Sequence, residues 1–322
     1  MASSHIPLIS VVVPVFNEES GIIHFHESII GALEKIEDTR FEIIYSDDGS
    51  TDQTARILHQ IAKRDSSMRI VSLSRNFGKE YALTAGISQA RGDAVITIDG
   101  DGQHPVTMIA DFVQKWHEGA QVVVGVRKSA THRFGFKTFR SKVFYALFNS
   151  ITGEQLLSGS TDFRLIDREV QQAFLQLGES DRITRGLIDW LGFSRTIIYF
   201  DVLPRDYGNA NYNTRQLAHL AVNSFVSLSP VPLYIFGYTG IIITALSGIL
   251  GITVLIEQVL LHDPLIWRFT GTAMLSILVL FLVGIILTSQ GIVSLYISHI
   301  HSQSKRRPLF VINHKNSRDI NK

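Results

Sequence analysis

The stretch AVITIDGDGQ, residues 94–103, decides how this chain folds. Its first half is apolar and β-branched, which is typical of a buried parallel strand. Asp99, Asp101 and Gln103 follow at alternate positions, so an extended backbone would place their side chains on one side. Ligands bind outside the carboxyl ends of strands in open α/β sheets. Oxygen ligands of this kind suit Mg²⁺ or Mn²⁺, which usually also binds substrate phosphates, so the stretch predicts a metal–diphosphate site.

Strand and helix patterns alternate from residue 1 to about residue 200. This alternation predicts an α/β fold with a doubly wound, mostly parallel sheet. The apolar run Ile9–Phe16 is short and interrupted by Pro14, so it is interpreted as a core strand and not as a signal peptide. Strands are predicted at Ile9–Val13, Phe41–Ser46, Arg69–Ser74, Ala94–Ile98 and Gln121–Val126, and helices at Ser20–Ile36, Asp52–Lys63, Lys79–Ala90 and Pro105–His117.

Composition excludes several kinds of site and partner. The 322 residues are enough for one large domain or two of ordinary size. The 30 basic and 29 acidic residues nearly balance, which argues against bulk nucleic-acid binding. The chain has no cysteine, so disulfides, thiolate metal sites and cysteine nucleophiles are excluded.

Two long stretches carry no Asp, Glu, Lys or Arg, at residues 216–256 and 269–304. Each is longer than the roughly 20 apolar residues that cross a bilayer. They predict a hairpin of two transmembrane helices at Leu233–Ile256 and Phe269–Ile297. A pair of buried helices in a soluble domain is the alternative interpretation.

The charges beside these stretches predict the orientation. Residues 305–322 contain six Lys or Arg and one Asp, whereas the connector between the two spans holds one Arg and two acids. By the positive-inside rule, the tail and the large N-terminal domain are cytoplasmic. The predicted domains are a cytoplasmic catalytic domain at 1–214, an amphipathic juxtamembrane helix at 215–230, two transmembrane helices at 231–300 and a basic cytoplasmic tail at 301–322.

Two of these segments keep a second interpretation. Leu217, Leu220 and Phe225 recur at helical spacing, which favours a helix lying on the membrane, and packing against the soluble domain is the alternative. The apolar segment Pro308–Ile312 is expected to form a strand that docks on a neighbouring subunit, which predicts a homo-oligomer formed through the tail.

Acidic residues also follow the first two predicted strands. Asp47 and Asp48 are suited to bonding a base N–H or ribose hydroxyls. Phe16 is placed to stack on a base, and Glu18 to accept a hydrogen bond from it. A turn followed by a helix cap is the alternative for the Asp pair.

Two further features point to an anionic substrate. Residues 127–142 contain six basic residues, no acid and interleaved phenylalanines. This pattern favours a loop that lies against anionic headgroups and holds a lipid phosphate, and a solvated basic face is the alternative. Asp162 follows a turn at Ser158–Thr161, so a loop is expected to deliver this carboxylate to the cleft. A cap or a salt bridge to Arg164 is the alternative for Asp162.

In their order and spacing these stretches resemble the family-2 glycosyltransferases of the GT-A fold. The resemblance is to membrane-anchored polyprenyl-phosphate glycosyltransferases, such as dolichyl-phosphate mannose synthases and bactoprenol glucosyltransferases. It runs from about Ile9 to the tail. The matching stretches are VVVPVFNEES, YSDDGSTDQT, SRNFGKEYALTAG, DGDGQHP, DFRLIDR and GESDRITRGLIDWLGF.

The resemblance implies roles for individual residues. It makes Asp162 the catalytic base, Pro14, Phe16, Glu18, Asp47 and Asp48 nucleoside contacts, and Asp99, Asp101 and Gln103 the metal and donor-diphosphate site. Arg127 and Arg140 match positions that hold the lipid phosphate, and Glu179, Arg182 and Arg185 match a motif on the acceptor side, where the two arginines are also expected to bind that phosphate.

The implied reaction is inverting transfer of a sugar from a nucleotide sugar to polyprenyl (undecaprenyl) phosphate, with Mg²⁺ or Mn²⁺, at the cytoplasmic face of a bacterial inner membrane. UDP-glucose is the favoured donor, and UDP-N-acetylhexosamine, UDP-galactose and GDP-mannose stay open. A non-enzymatic lipid-handling membrane protein is the distant alternative. A haloacid-dehalogenase phosphatase expects its Asp-x-Asp on the first strand, and a processive polysaccharide synthase expects Gln-x-x-Arg-Trp, which this chain lacks.

Two positions depart from the family pattern. His104 stands where relatives commonly have Asp after the glutamine, which is expected to change the donor pocket or the metal affinity. Asn211 stands where a Gly-x-Ser-Lys-aromatic motif has its lysine, so a phosphate contact carried by that lysine is not expected here.

Overall fold

The computed structural model of the protein describes residues 6–128, 159–179, 182–201, 249, 271–304 and 307–320. The chain divides into two compact units. The first comprises residues 1–146, 154–211 and 307–322, and the second comprises residues 147–153 and 212–306. The residues expected to form the juxtamembrane helix lie outside the described part, as does nearly all of the first expected span.

One seven-stranded sheet forms the centre of the first unit, with the strand order β3-β2-β1-β4-β6-β5-β7. The pairs β1–β2, β1–β4, β2–β3 and β5–β7 are parallel, whereas β6 runs antiparallel to both β4 and β5. The predicted α/β fold with a mostly parallel sheet is thus confirmed. The strands are β1 (Leu8–Val15), β2 (Arg40–Asp47), β3 (Met68–Ser72), β4 (Ala94–Thr97), β5 (Val122–Arg127), β6 (Ser160–Asp167) and β7 (Arg195–Phe200).

Helices cover both faces of this sheet. Strand β1 is almost entirely apolar because both of its faces are buried. Val11 and Val13 pack into one core, and Val12 packs into the other. A short 3-10 helix at Val106–Met108 precedes α4. The helices of the first core are α1 (Ile22–Leu33), α2 (Thr54–Ile61) and α4 (Ile109–His117), and those of the second are α3 (Lys79–Gln89), α5 (Arg168–Gln176) and α6 (Thr184–Trp190).

The sequence prediction was wrong about the surroundings of Asp162. This residue lies within β6 and not on a loop. Strand β6, with the sequence STDFRLID, has no continuous apolar run, and its charged residue Arg164 is only 1% exposed. The Arg164 guanidinium donates to the backbone oxygens of Thr161 and Arg185 and pairs with Asp189 at 3.4 Å. Asp189 compensates the charge within the core, although Nε of Arg164 is buried without a hydrogen-bond partner among the described residues.

The tail segment 307–320 packs against β3 of its own chain. Antiparallel bridges join Ile70 to Arg318 and Leu73 to Ile312. The buried Arg69 donates to the backbone oxygen of Asp319 over 2.6 Å. The segment was expected to dock on a neighbouring subunit, and in this structure it covers an otherwise open sheet edge. Oligomerisation through the tail stays a prediction.

The second unit contains the long helix α7 (Gly271–Ser304), which includes most of the second expected span. Within the residues that the structure describes, no helix qualifies as long and apolar enough to cross a membrane. The two-span hairpin therefore stays a prediction.

Candidate active site

The site lies at the carboxyl end of β4. Thr97 ends this strand and faces Arg164 of the antiparallel β6, so the beginning of β6 lies beside the end of β4. The hydroxyl of Thr97 donates to the backbone oxygen of Asp162. This pairing brings Asp162 to the place where Asp99 emerges, although 63 positions separate the two in the sequence.

Lys79, in the first turn of α3, joins the two acids. Its Nζ lies 2.7 Å from Oδ1 and 3.0 Å from Oδ2 of Asp99, and 2.7 Å from Oδ2 of Asp162. The Lys79 side chain is 39% exposed, whereas that of Asp162 is 13% exposed. Burial favours the neutral amine, but the two carboxylates outweigh it and raise the pKa of Lys79. Lys79 therefore carries its charge throughout the physiological range.

Asp162 keeps one oxygen open. Oδ2 accepts from Lys79, whereas Oδ1 is buried and has no hydrogen-bond partner among the described residues. Burial by itself would raise the pKa of Asp162, but the charges of Lys79, Arg185 and Arg164 reverse this effect and hold the pKa below its ordinary value. Asp162 is thus an ionised carboxylate whose buried Oδ1 accepts no hydrogen bond from the described residues.

Glu80 follows Lys79 in α3 and bonds to the start of α6. Its Oε2 accepts the backbone N–H of Thr184 over 2.8 Å, at the first residue of α6. Burial, followed by the charge of Asp162, raises the pKa of Glu80. Two consecutive residues of α3 therefore contact the site, Lys79 through the two acids and Glu80 through the start of α6.

Of the expected metal triad, Asp101 and Gln103 are joined by a hydrogen bond, whereas Asp99 contacts Lys79. Asp101 and Gln103 belong to one turn, in which Oδ1 of Asp101 accepts the backbone N–H of Gln103 over 3.1 Å. Asp99 is paired with Lys79. Throughout the described ranges, no group of three or more His, Cys, Asp or Glu is placed to hold a metal ion. The triad stays a prediction, resting on two carboxylates and one amide.

The two acids at the end of β2 have structural partners. Oδ1 of Asp47 accepts from the backbone N–H and the hydroxyl of Ser50. The two oxygens of Asp48 accept the backbone N–H groups of Phe77 and Gly78 over 2.7 and 2.8 Å. Both acids therefore shape turns, as the alternative interpretation proposed, and Asp48 also positions the start of α3. Their nucleoside contacts stay predictions.

The turns after β1 and β2 are bonded to each other. The backbone N–H of Glu18 donates to the hydroxyl of Thr54, and that of Thr51 donates to the side chain of Asn17. Pro14 is buried within β1, while Phe16 is half-buried beyond its end. These residues border the carboxyl edge of the sheet, which is where ligands bind in open α/β sheets.

The expected acceptor-side arginines differ in their surroundings. Arg127 ends β5 and is exposed. Arg182 is buried, donates to the backbone oxygens of Leu177 and Phe174, and stacks on the Phe174 ring at 4.8 Å. The charge of Arg185 acts on Asp162. Arg140 lies outside the described residues, as does Asn211.

His104 is almost completely buried, at 2% exposure. Its ring packs against Phe163 and Phe200, with centroid distances of 5.3 and 5.5 Å. Neither ring nitrogen has a partner among the described residues. Burial lowers the pKa of His104, so the imidazole is neutral at pH 7. Glu18, Asp101 and His104 line the same cavity of about 130 Å³.

Sequence analysis missed Lys79 and Glu80, which lie inside the quoted stretch SRNFGKEYALTAG but received no role. It also missed Thr97, which reads as an ordinary strand residue. The available signal was a charged pair directly after Gly78, at the beginning of a helix whose buried residues, apart from Gln89, are small or apolar. Nothing local indicates which acids the pair would contact.

The fold and the acids at its carboxyl edge define an α/β enzyme, and comparisons with known proteins identify its class as glycosyltransferase. Residues 10–174, just over half of the chain, match the model of "Glycosyl transferase family 2". The chain belongs to that family. An uncharacterised glycosyltransferase of Synechocystis sp. is 36% identical over 94% of each chain. A bactoprenol glucosyl transferase of Shigella phage SfV is 33% identical over 94% of this chain and 97% of its own.

Solved structures of similar shape are more distant in sequence. Glucosyl-3-phosphoglycerate synthase from Mycobacterium tuberculosis, in complex with Mn²⁺, UDP and its product, is 22% identical with a TM-score of 0.44, over 69% of this chain and 78% of that one. A mannosyltransferase from Pyrobaculum calidifontis, in complex with GDP-mannose and Mn²⁺, is 19% identical with a TM-score of 0.42, over 62% and 59%.

Proposed function

We propose that this glycosyltransferase, with a GT-A fold, transfers glucose from UDP-glucose to a polyprenyl phosphate, with inversion, at the cytoplasmic face of a bacterial inner membrane. The observation that carries the proposal is the meeting of Asp99 and Asp162 at the carboxyl end of β4, joined by Lys79. The phage relative named a bactoprenol glucosyl transferase supports the sugar and the acceptor, because it matches 94% of this chain.

The donor set at this strand end fits a hard divalent cation. Asp99 and Asp101 supply carboxylate oxygens and Gln103 supplies an amide oxygen, which are the ligands that Mg²⁺ and Mn²⁺ prefer. Mg²⁺ is usually held by one or two carboxylates together with substrate phosphates, so a third acidic ligand is not required. A cation bound there would neutralise charge that develops on the leaving nucleoside diphosphate.

The acceptor phosphate supplies the nucleophile. One of its oxygens attacks the anomeric carbon in line, the bond from that carbon to the diphosphate breaks, and the electron pair leaves with the diphosphate. A phosphate monoester has a second pKa of about 6, so this oxygen is already anionic at neutral pH. Asp162, ionised and with no partner for Oδ1 among the described residues, then orients the acceptor or the sugar as much as it takes a proton.

Charge supports a lipid acceptor. Arg127 is exposed at the end of β5, and residues 127–142 continue with five further basic residues and no acid. Guanidinium groups bind phosphate through charge-assisted hydrogen bonds. The two uncharged stretches at residues 216–256 and 269–304 support a membrane anchor, which would keep the enzyme beside its lipid substrate.

Incubating the purified full-length protein with undecaprenyl phosphate and a panel of radiolabelled donors tests the proposal. The panel contains UDP-glucose, UDP-N-acetylglucosamine, UDP-galactose and GDP-mannose. Label should enter the lipid fraction from UDP-glucose and require Mg²⁺ or Mn²⁺. Transfer from another donor would correct the sugar, and an absence of transfer from any donor would favour a non-enzymatic lipid-handling role.

A further inference from the structure

The Lys79 ammonium lies against the Asp99 oxygens that a bound metal ion would also contact. Its ammonium contacts both oxygens of Asp99, at 2.7 and 3.0 Å, and one oxygen of Asp162, at 2.7 Å. The three residues come from α3, the end of β4 and the beginning of β6. One cation therefore ties the proposed metal site to the proposed catalytic carboxylate.

The charge of Lys79 affects how a metal ion would bind at Asp99. A divalent cation bound to Asp99 would lie within a few ångströms of the Lys79 ammonium, and like charges at that distance repel strongly when water is partly excluded. The diphosphate of a nucleotide sugar brings negative charge to the same place. That charge offsets the repulsion, because the diphosphate interacts favourably with the metal ion and with Lys79.

We propose that Lys79 is an internal cation that competes with the divalent metal for Asp99, so that the metal binds tightly only together with the donor diphosphate. This inference rests on the proposed metal role of Asp99. Lys79 is a positioning residue in this scheme, since it acts through Asp99 and Asp162. Its contact with Asp162 also holds that carboxylate in place, so loss of Lys79 would slow the transfer step.

Two effects of opposite sign follow from removing the charge. Lys79→Met should bind Mn²⁺ alone at least about tenfold more tightly than the wild type, because the repulsion is gone. The same variant should have a lower kcat, because Asp162 has lost its partner. A purely structural role for Lys79 predicts instead that metal binding and turnover both weaken.

The chain offers a matched control. Lys115 is 41% exposed and pairs with Glu118 at 2.6 Å, much as Lys79 is 39% exposed and paired, but it lies on the outer surface of α4. Lys115→Met should leave Mn²⁺ affinity and kcat unchanged. Lys79→Arg keeps the charge and should keep the weak Mn²⁺ affinity of the wild type, even if its geometry lowers turnover.

The experiment uses the full-length protein and measures free Mn²⁺ by electron paramagnetic resonance, without donor and then with UDP. Thermal unfolding of each variant confirms that it is folded. Tighter binding of Mn²⁺ by Lys79→Met, with Lys79→Arg and Lys115→Met like the wild type, supports the inference. Equal or weaker binding by Lys79→Met overturns it. Transfer is measured separately from Mn²⁺ binding. Wild-type transfer that persists in excess EDTA would overturn the proposed metal role of Asp99 itself.

Discussion

The backbone N–H of Thr184 donates to Oε2 of Glu80 over 2.8 Å, so the first turn of α3 holds the first turn of α6. Lys79 in α3 and Arg185 in α6, the neighbours of Glu80 and Thr184, extend this contact toward Asp162. Lys79 contacts Asp162, and the charge of Arg185 acts on the same carboxylate. The donor side and the expected acceptor side of the site are thus linked through two adjacent residues of α3.

Glu80→Gln should change the folding stability of the protein in a pH-dependent way. The folded protein raises the pKa of Glu80, so ionisation costs the folded state free energy. That cost is absent below the unfolded-state pKa of about 4.3 and grows as pH rises through the folded-state pKa. Gln keeps an oxygen for Thr184 and cannot ionise. Thermal unfolding should therefore show a stabilised variant at pH 7 and no difference near pH 4. A wild type that is the more stable protein at pH 7 would contradict this assignment.

Asp162→Asn tests how the carboxylate acts. The lowered pKa means that Asp162 is ionised across pH 6–8, so the amide removes a full charge at constant size. A general base contributes about 10²–10⁴-fold. We expect a kcat loss in that range, little change in donor Kd, and partial recovery from pH 6 to pH 8, as more acceptor becomes dianionic. A loss that does not vary with pH would leave Asp162 an orienting residue, and wild-type kcat would remove it from the mechanism.

Asp101→Ala should abolish transfer while the protein stays folded, because Asp101 lies in a turn outside the hydrophobic cores. EDTA should do the same to the wild type, and added Mg²⁺ or Mn²⁺ should restore turnover. Radiolabel transfer measures activity, and thermal unfolding checks the fold. Full turnover of the variant would exclude Asp101 as a metal ligand.

Arg127→Ala should weaken acceptor binding. A charge-assisted hydrogen bond contributes about 1.5–3 kcal/mol, which corresponds to an increase in acceptor KM of roughly 10- to 150-fold. Arg140→Ala should behave alike, as the sequence predicts. Lys115→Ala is the control, because Lys115 lies on α4, outside the basic stretch at 127–142, pairs with Glu118 at 2.6 Å and should have little effect. An increase in donor KM instead would place Arg127 on the other side of the cleft.

Arg69→Met should destabilise the first unit. Arg69 is 2% exposed, pairs with Glu42 at 2.9 Å and donates to the backbone oxygen of Asp319. Removing one member of a buried pair leaves an uncompensated charge, which costs about 3–5 kcal/mol. Arg91→Met serves as the control, because Arg91 also approaches Asp319 but is 42% exposed. Urea unfolding of the two variants should differ clearly, and equal midpoints would show that the buried pair contributes little.

Hydrophobic patterning predicted the part of the fold that local sequence determines. Strands β1, β4 and β5 are largely apolar runs. Strands β2 and β3 contain the apolar stretches Ile43–Tyr45 and Ile70–Val71 beside the buried charges Glu42 and Arg69, so local composition indicates the positions of all five. Local composition does not indicate strand β6, because its sequence STDFRLID has no continuous apolar run and Arg164 is buried through partners on α6 and within β6 itself. The same limit applies to the site. Asp99 and Asp162 were recognised individually, but Lys79 meets them 20 and 83 positions away, which no local pattern records.

The tail that covers β3 also sets an order of events during synthesis. Ser72 donates to the backbone oxygen of Asn316, a partner made 244 residues later. At about 5–20 residues per second, the ribosome needs roughly 12–50 s to make the chain between them. During that time the edge of β3 is open, and an open strand edge invites pairing with other chains. A nascent chain of this protein therefore exposes the edge of β3 to pairing with other chains until residues 307–320 have been made.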